Sequence, residues 1–411
     1  MGFTKLGLSK PILKAIQDQG YDKPTPIQKQ SIPIILKQQD VLAGAQTGTG
    51  KTAGFTLPML ELLSKKNIKK RRTQVRALVL TPTRELAAQV YENVDLYSKY
   101  LPLTSAVVFG GVSINPQKSK LKNGLDILVA TPGRLLDLIG QDSCDLSQVE
   151  FLVLDEADRM LDMGFIDDVE RIVKKCPEER QTLFFSATMP AQVQKLSQKY
   201  MVSPVKVSAE RMVDPTKLTQ CYYDVQKKMK LSLLVHLLEN ERAGLVIVFC
   251  NTRMTTTFVA KTLKMNKISA LEIHGGQTQN KREKALQMFS GAKVGVLVCT
   301  DVAARGLHID NVSHVYNYDV PRDPNDYVHR IGRTARAGED GAVINLLCDR
   351  DYENFGRLTH EHRDYKIMKK PVPEVKRVQA AKIEHVASKP RRGSGRGQGR
   401  PAPKRRMSYG V

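Results

Sequence analysis

One string near the start of the chain combines the residue types that hold a polyphosphate. The apolar run 41–43 leads into Gly44 and a turn rich in Gly and Thr. Backbone amides in such a turn cradle phosphate oxygens, and the helix that follows adds its positive N-terminal dipole. A Lys that closes the turn reaches the β and γ phosphates, and the hydroxyl after it binds Mg²⁺. The candidate phosphate-binding residues are Ala45, Gln46, Thr47, Gly48, Thr49, Gly50, Lys51 and Thr52.

This turn departs from the general phosphate-loop pattern at one position. The pattern has a Gly five residues before the second Gly of the motif. Ala45 stands there, ahead of Gly50. Taken alone, the string therefore leaves an ordinary glycine turn open as the alternative.

A second string supplies carboxylates for a metal ion and for water. Asp155, Glu156 and Asp158 follow the apolar run 151–154. A carboxylate at the end of a buried strand can hold Mg²⁺, usually through water, and a neighbouring carboxylate can orient an attacking water. We assign the binding of Mg²⁺ to Asp155 and Thr52, and the orientation of the attacking water to Glu156. An acidic helix start is the alternative, and the phosphate loop upstream favours the metal.

Two further strings bear on the same chemistry. Ser186, Ala187 and Thr188 end another apolar run; such hydroxyls usually cap helices, and a coupling role beside the phosphate loop is the second interpretation. The stretch His329 to Arg336 carries three Arg within seven residues. Planar guanidinium groups suit the oxygens of a phosphoryl transition state. A solvated basic helix face is the alternative for this stretch.

The elements that must position these strings repeat one pattern. Apolar runs alternate with longer stretches of helical spacing, which predicts a parallel sheet covered by helices on both faces. Ligands gather at the carboxyl ends of such strands, where each string falls. The predicted strands are 41–43, 75–80, 127–130, 151–154 and 182–185, and then 246–250, 270–273, 294–299, 314–318 and 342–347.

The two sets of strands predict two similar α/β lobes. We place the first lobe at 1–208, a linker at 209–216, the second lobe at 217–362 and a basic tail at 363–411. From Pro390 onward Arg, Gly, Pro and Ser dominate, and such a segment is expected to be disordered because it cannot bury enough apolar area. The charge is +22 overall, and the stretch from Lys366 to Val411 has 14 Lys and Arg against two Glu, a net of +12. This balance indicates a polyanionic partner.

Composition argues against several other classes of protein. The six Cys are scattered singly, so no closely spaced pair could bind zinc, and this pattern fits a reducing compartment. No apolar stretch reaches the roughly 20 residues that span a bilayer, and the first residues lack a secretory signal pattern. We expect a cytoplasmic protein that does not contact membranes.

Together the strings resemble the DEAD-box RNA helicases of superfamily 2, over residues 1 to about 362. The box itself is Asp155-Glu156-Ala157-Asp158, and Ala45 is the family's own version of the phosphate loop. The resemblance implies two tandem RecA-like lobes, ATP and Mg²⁺ as cofactors, and an adenine site. In that site Tyr21 stacks on the base and Gln28 hydrogen-bonds its edge. The matching residues ahead of the phosphate loop are Phe3, Tyr21, Thr25, Pro26 and Gln28.

The resemblance also implies RNA backbone contacts that ignore base identity. In the second lobe it assigns nucleotide sensing to His329, Arg333 and Arg336, with Arg333 and Arg336 catalytic. The stretches 110–117 and 162–165 look most like the bacterial RhlE branch. The implied RNA-contacting residues are Pro82, Thr83, Arg84, Gly110, Gly111, Thr131, Pro132, Gly133, Arg134, Arg253, Gln279, Arg282 and Thr300.

One position departs from the family pattern. The family usually reads Arg-Gly-x-Asp in a second-lobe motif whose Asp contacts the ATP ribose, and this chain reads Arg305-Gly306-Leu307-His308. We keep Gly306 and His308 as candidate ATP contacts. A neutral imidazole offers one acceptor and one donor, so it grips two ribose hydroxyls less well than a carboxylate does.

The function implied is an RNA-dependent ATPase that couples ATP binding and hydrolysis to local unwinding or remodelling of RNA duplexes or RNA-protein complexes. Alternatives are an ATP-gated RNA clamp with little unwinding activity, a DNA-duplex motor, and a purely structural RNA-binding protein. The resemblance further implies a monomer, with unidentified partners in RNA processing or ribosome assembly.

Overall fold

The structure is a computed structural model that describes residues 2–45, 48–66, 72–208, 218–241, 244–304, 312–334 and 341–381. Two seven-stranded sheets lie in these ranges, and their paired strands are all parallel. No helix of the described ranges is both long and apolar enough to cross a bilayer.

The first lobe holds the first sheet. Its strands are β1 (Val41–Gly44), β2 (Val75–Leu80), β3 (Ser105–Val108), β4 (Leu125–Ala130), β5 (Phe151–Asp155), β6 (Gln181–Ser186) and β7 (Val205–Ser208). A 3₁₀ turn covers Phe3–Lys5, and the helices are α1 (Lys10–Asp18), α2 (Pro26–Leu36), α3 (Lys51–Ser64), α4 (Arg84–Ser98), α5 (Asn115–Leu121), α6 (Pro132–Ile139), α7 (Ala157–Asp162), α8 (Ile166–Val173) and α9 (Ala191–Tyr200).

The order of the first sheet is β3-β4-β2-β5-β6-β1-β7. Its central strands are buried along their whole length because helices cover both faces: Ala77 and Val79 of β2 point into one apolar core, and Leu78 and Leu80 into another. This double burial explains why these strands read as continuous apolar runs.

The second lobe repeats this plan. Its strands are β8 (Leu218–Asp224), β9 (Leu245–Phe249), β10 (Ala270–Ile273), β11 (Val296–Cys299), β12 (Val312–Asn317), β13 (Gly341–Leu347) and β14 (Met368–Lys370), in the order β10-β11-β9-β12-β13-β8-β14. Its helices are α10 (Lys230–Asn240), α11 (Arg253–Met265), α12 (Gln279–Ser290), α13 (Asp301–Ala304), α14 (Pro324–Ile331) and α15 (Tyr352–Glu361), and a 3₁₀ turn covers Asp349–Asp351. The predicted class, two α/β lobes each with a helix-covered parallel sheet, is confirmed.

The second lobe continues past residue 362, where we placed the start of the basic tail. Strand β14 pairs with β8, and Val375 and Val378 pack against the core beside α10 and α11. The backbone N–H of Val378 donates to Ser232, and that of Ala381 donates to Thr262. Residues 363–381 therefore form a strap on the second lobe, and the name strap is used for them below. The expected linker (209–216) and the expected disordered segment from about 390 lie outside the described residues.

Candidate functional site

The carboxyl ends of three neighbouring strands bring the predicted phosphate and metal residues together. β5, β6 and β1 are adjacent, and they end on Asp155, Ser186 and Gly44. Because the strands are parallel, these ends share one edge of the sheet. The phosphate loop, the acidic box and the Ser-Ala-Thr string therefore meet there, as the sequence predicts.

The phosphate loop is held by glycines that adopt left-handed backbone. Gly48 has φ +87° and Gly50 has φ +84°, and Gly50 forms the N-cap of α3. A Cβ at Gly50 would lie 2.4 Å from Nε2 of Gln28, so a side chain is excluded by space as well as by conformation. The loop thus turns directly into the N-terminus of a 14-residue helix, where the helix dipole favours an anion.

Lys51 and Asp155 have buried polar atoms that no other described residue satisfies. Lys51 is 6% exposed and Asp155 is 2% exposed. Within the described ranges, neither Nζ of Lys51 nor Oδ1 of Asp155 has a hydrogen-bond partner. Burial raises the pKa of Asp155 to about 7, the nearby Lys51 acts to lower that pKa, and Glu156 acts to raise it. Buried charged groups ordinarily have partners, so this pair is arranged for a ligand with both anionic oxygens and a cation.

The donor set fits Mg²⁺ bound together with a nucleotide. Among the described residues, no group of three or more His, Cys, Asp or Glu could hold a metal ion by itself. Mg²⁺ commonly takes one or two protein oxygens and completes its shell with phosphates and water. Asp155 and the half-buried Thr52 at the start of α3 are suited to that role.

The remaining acidic residues are fixed by the backbone and by hydrogen bonds. Glu156 is buried and adopts left-handed backbone, with φ +55°; non-Gly residues adopt it at some cost, often at functional sites. Asp158 accepts from the backbone N–H and the hydroxyl of Thr188, at 2.9 and 2.8 Å. Its own N–H donates to Oγ of Ser186. Ser186 and Thr188 thus contact the acidic box rather than cap a helix.

The adenine-side residues occupy two neighbouring places. Phe3 and Tyr21 line one cavity of about 470 Å³ between the first 3₁₀ turn and α1. Gln28 lies elsewhere: its amide oxygen accepts from the N–H of Thr25, and its Nε2 donates to the carbonyl of Gly50. Gln28 therefore links α2 to the phosphate loop in this structure.

Among the residues that the structure describes, three sets of contacts join the lobes. Nε2 of His329, on α14, lies 3.8 Å from Oδ2 of Asp158. Arg159, on α7, bonds Asp326, on α14, at 2.5 Å. The third set joins Oε1 of Glu85 to Nε2 of Gln279 at 3.0 Å and to Nη2 of Arg282 at 3.1 Å. The face of α14 that carries His329 thus lies against the acidic box.

The next residue of α14, Arg330, lies in the core of the second lobe. Arg330 is 1% exposed and makes two short bonds to Asp301, at 2.6 and 2.7 Å. It also donates to Oδ1 of Asn251 and of Asn317. Asn251 follows β9, and Asp301 is the first residue of α13. Arg330 therefore ties α14 to the segments expected to contact RNA. Arg333 is also buried, at 3% exposure.

In the first lobe the expected RNA contacts follow β2, β3 and β4. Thr83 caps α4 by accepting from the N–H of Leu86. A Cβ at Gly111 would lie 1.8 Å from Nη1 of Arg84, so the guanidinium packs directly on that glycine. Arg134 donates to the carbonyl of Val112 at 2.9 Å. Thr131, Pro132 and Gly133 form the N-terminus of α6, and Pro82 and Gly110 lie in the loops after β2 and β3.

In the second lobe the expected contacts again begin helices. Thr252 caps α11, with Arg253 as its first residue, and Gln279 is the first residue of α12. Thr300 lies between β11 and α13. Helix N-termini with Thr hydroxyls and exposed Arg suit phosphate oxygens and ignore base identity. Five of the expected site residues lie outside the described ranges: Gln46, Thr47, Gly306, His308 and Arg336.

Sequence reasoning did not single out three residues that the structure places in the site. They are Arg159, Asp326 and Gln117; the side-chain amide of Gln117 bonds the backbone of Phe109 and Ser113 and so holds the Gly110-Gly111 loop. Arg159 directly follows the acidic box, and Asp326 lies three positions before His329; this proximity to motif residues is the sequence signal that could have found them. In the sequence the two residues are 167 positions apart.

Comparison with known proteins agrees with this geometry. A family model described as DEAD/DEAH box helicase matches residues 25–196, and one described as helicase conserved C-terminal domain matches 229–338. A DEAD-box ATP-dependent RNA helicase CshA of Geobacillus kaustophilus is 43% identical over 366 residues, which is 89% of this chain and 76% of the relative. The chain belongs to the DEAD-box helicase family. Another family member, the ATP-dependent RNA helicase CshA of Listeria monocytogenes, is 44% identical over 85% of this chain and 66% of its own length.

Solved structures of family members share both lobes. S. cerevisiae Dbp5 bound to RNA and ADP BeF3 has a TM-score of 0.80 at 30% identity, covering 90% of this chain and 96% of that chain. Mss116p bound to ssRNA and AMP-PNP has a TM-score of 0.77 at 31% identity, covering 90% of this chain and 78% of that chain. The tandem RecA-like arrangement expected for the family is therefore confirmed for this chain.

Proposed function

We propose that this chain is an ATP-dependent RNA helicase, an RNA-dependent ATPase that couples ATP binding and hydrolysis to local unwinding or remodelling of RNA. The observation that carries the proposal is the unsatisfied pair of Lys51 and Asp155, buried at the sheet edge beside Asp158. Asp158 in turn faces His329 of the other lobe. A nucleotide bound at this edge therefore lies where the lobes contact each other. The RNA helicase activity of the similar CshA proteins and the RNA-bound state of the similar structures support this assignment.

Each residue of the edge has a distinct task in phosphoryl transfer. Lys51 would hold the β and γ phosphates, and Thr52 and Asp155 would hold Mg²⁺, which neutralises charge on the phosphate oxygens when bound. Glu156 would orient a water molecule in line with the γ-phosphate and accept its proton. Arg333 and Arg336 would stabilise the charge that develops in the transition state, a contribution of about 10³–10⁵ in rate for arginine fingers. Phe3, Tyr21 and Gln28 would hold the adenine side.

RNA would lie across the first turns of α4, α6, α11 and α12. Contacts there come from Thr hydroxyls, Gly-rich loops and Arg side chains, which read phosphate and 2′-OH groups rather than bases. Closure of the lobes on ATP would assemble both sites together, and phosphate release would let them part. Both sites would be joined to one helix, α14: Arg330 of α14 bonds Asp301 on the RNA side, and Asp326 of α14 bonds Arg159, which follows the acidic box.

Two alternatives give different observable behaviour. An ATP-gated RNA clamp would bind ATP and RNA together without turnover, but this chain retains Glu156 and the Arg residues that turnover requires. A DNA-duplex motor would be stimulated by DNA. Phosphate release measured with RNA and DNA of equal length and sequence separates the RNA helicase from the DNA motor.

The decisive variant is Glu156→Gln. Gln keeps the shape of the side chain and loses the charge that orients water, so ATP-dependent RNA binding should persist while turnover disappears. Glu92→Gln, at an exposed position of α4, is the matched control and should behave as wild type. Turnover of Glu156→Gln within about twofold of wild type would remove Glu156 from the catalytic role.

Four finer assignments concern the branch of the family, the oligomeric state, the partners and the cellular location. The RhlE-like branch that we predicted has no support among the relatives named above, which carry the CshA name. A monomeric state and partners in RNA processing or ribosome assembly stay proposals. A cytoplasmic location also stays a proposal.

A further inference from the structure

The loop between β10 and α12 is built around one histidine. His274 directly follows β10, and its Nδ1 accepts from the backbone N–H of Gly276 at 3.1 Å. Its Nε2 lies 3.2 Å from Oγ1 of Thr257, on α11, and 3.8 Å from Oε2 of Glu272. The side chain is 13% exposed. The imidazole therefore bridges its own loop and the helix that begins with Arg253.

These contacts fix the state of the imidazole. A backbone N–H is only a donor, so Nδ1 must carry a lone pair and the ring must be neutral with its proton on Nε2. The Nε2–H then faces Thr257 and Glu272. A second proton on Nδ1 would remove the acceptor and place two N–H groups against each other.

The turn that His274 holds is packed against Arg253. A Cβ at Gly275 would lie 3.3 Å from Nη2 of Arg253, and a Cβ at Gly276 would lie 3.1 Å from the imidazole Nδ1 and 3.7 Å from Cδ of Arg253. The stem and guanidinium of Arg253 thus run along the two glycines. Any shift of the turn moves the surface on which Arg253 lies.

The charges around His274 favour the neutral ring. Burial lowers its pKa, Glu272 on β10 acts to raise that pKa, and Arg253 on α11 and Arg282 on α12 act to lower it. The effect of Glu272 on the pKa of His274 is thus opposed by two guanidinium groups and by burial. The acceptor on Nδ1 is present at neutral pH and is lost as the pH falls.

We propose that His274 is a positioning residue for RNA: its neutral imidazole holds the Gly275-Gly276 turn and Arg253 in the arrangement that contacts the RNA backbone, and protonation of the ring releases that turn. This inference rests on the proposed RNA helicase function. His274 touches neither the nucleotide residues nor, through its own polar atoms, the RNA, because those atoms bond Gly276 and Thr257. Its effect should therefore fall on the apparent affinity for RNA.

Two variants separate the positioning role of the His274 hydrogen bond from the volume of its side chain. His274→Asn places Oδ1 at the same number of bonds from the backbone as Nδ1, so it can still accept from Gly276 and cannot be protonated near neutral pH. His274→Gln is one bond longer, so it loses that acceptor while it stays polar and of similar size. Each variant is made separately in the full-length chain, and thermal melting curves confirm that it is folded.

The experiment measures RNA-stimulated ATP turnover against RNA concentration from pH 5.5 to 8.5. For wild type, the RNA concentration at half-maximal stimulation should rise only at pH values below the ordinary His pKa of about 6.5, because burial and the two Arg lower the pKa of His274. For His274→Asn, the RNA concentration at half-maximal stimulation should stay at every pH near the value that wild type shows at pH 8. At pH 8 His274→Gln should need about three- to tenfold more RNA, the effect of one lost hydrogen bond, with a smaller change in kcat.

The outcomes that overturn the proposal are distinct from failure of the proposed function. If wild type and His274→Asn share one pH profile, or if Asn and Gln are equally impaired at pH 8, then His274 does not position the turn. If the wild-type protein shows no stimulation by RNA at any pH, then the RNA helicase assignment itself fails.

Discussion

Asp155, which we propose as a ligand of Mg²⁺, lowers the stability of the ligand-free protein when it is ionised. Its carboxyl group is fully buried, and Oδ1 has no partner within the described residues. Burial raises its pKa from 3.8 to about 7. A raised pKa in the folded state means that the group contributes stability below about pH 4, and that this contribution is lost as the pH rises through 7. Above pH 7 the ligand-free protein holds an ionised carboxylate whose burial cost is offset only in part by Lys51 and by the backbone N–H of Glu156.

Replacement of that charge should therefore stabilise the ligand-free protein. Asp155→Asn in EDTA should raise Tm by several degrees at pH 8 and by clearly less at pH 5, while ATP turnover is abolished. The change follows from removal of a buried charge whose burial cost Lys51 offsets only in part. Thermal unfolding at both pH values measures it, with exposed Glu92→Gln as the control. An equal Tm change at pH 5 and pH 8 would show that Asp155 is not the group that titrates.

His308 is the residue at which this chain departs from its family, and it lies outside the described residues. We predict that His308→Asp lowers the KM for ATP several-fold with little change in kcat, because an ionised carboxylate can accept from two ribose hydroxyls. Discrimination between ATP and dATP should increase in the variant. Steady-state turnover with both nucleotides measures this. Unchanged KM and unchanged discrimination would mean that position 308 does not face the ribose.

Among the elements, α14 carries the coupling between lobes. This helix places His329 and Asp326 against α7, and it buries Arg330 among the loops that precede the helices proposed to contact RNA. Arg159 is 1% exposed. Burial acts to lower its pKa, but the carboxylates of Asp326, Asp158 and Asp162 together raise that pKa, so the guanidinium stays charged. The Arg159–Asp326 pair is thus a strong contact between two elements of different lobes.

A double-mutant cycle should reveal this contact. Asp326→Asn and Arg159→Gln should each lower RNA-stimulated kcat/KM, and the double variant should be no worse than the poorer single variant, with a coupling energy of about 1–3 kcal/mol. A cycle on Lys199 and Glu170, an exposed pair within the first lobe, should show no coupling in turnover. Additive effects for Arg159 and Asp326 would mean that the two side chains do not act as a pair.

At the scale of the whole molecule, the strap should add to the stability of the second lobe. β14 extends the second sheet, and Val375 and Val378 cover apolar side chains beside α10 and α11. Removal of 367–411 would expose that surface and cost a few kcal/mol at about 25 cal/mol per Å². We predict that this truncation lowers Tm by several degrees, whereas removal of 382–411 leaves Tm unchanged. Equal Tm values for both truncations would show that the strap adds no stability.

The basic segment beyond the strap is expected to act on RNA through charge alone. Deletion of 390–411 removes seven Lys and Arg residues. For each single-strand phosphate contact that is lost, the slope of log affinity against log salt should flatten by about 0.7. RNA titrations between 50 and 200 mM salt measure the slope, and basal ATP turnover should not change. An identical slope with and without the segment would show that it does not touch RNA.

The sequence by itself determined the parallel architecture and the chemistry of the nucleotide edge. Strands such as β2 and β5 are covered on both faces, so they read as apolar runs, and each run ends on the residue that the ligand needs. Strands β3, β7, β8 and β14 were not predicted. β7 and β14 are short and partly exposed, and β8 alternates between buried and exposed positions, so none of these three is a continuous apolar run. β3 contains a short apolar run at 106–108, which the prediction missed.

Only the tertiary structure decided which distant groups pair. Arg159 meets Asp326 across 167 positions, and Glu85 meets Gln279 across 194; such pairs depend on how two lobes pack, which local spacing does not encode. The same holds for His274, whose bond to Gly276 is local but whose contacts with Thr257 and Arg253 require α11 to pack beside β10. Residue type and spacing determine what chemistry a chain can perform, and packing decides which groups share a site.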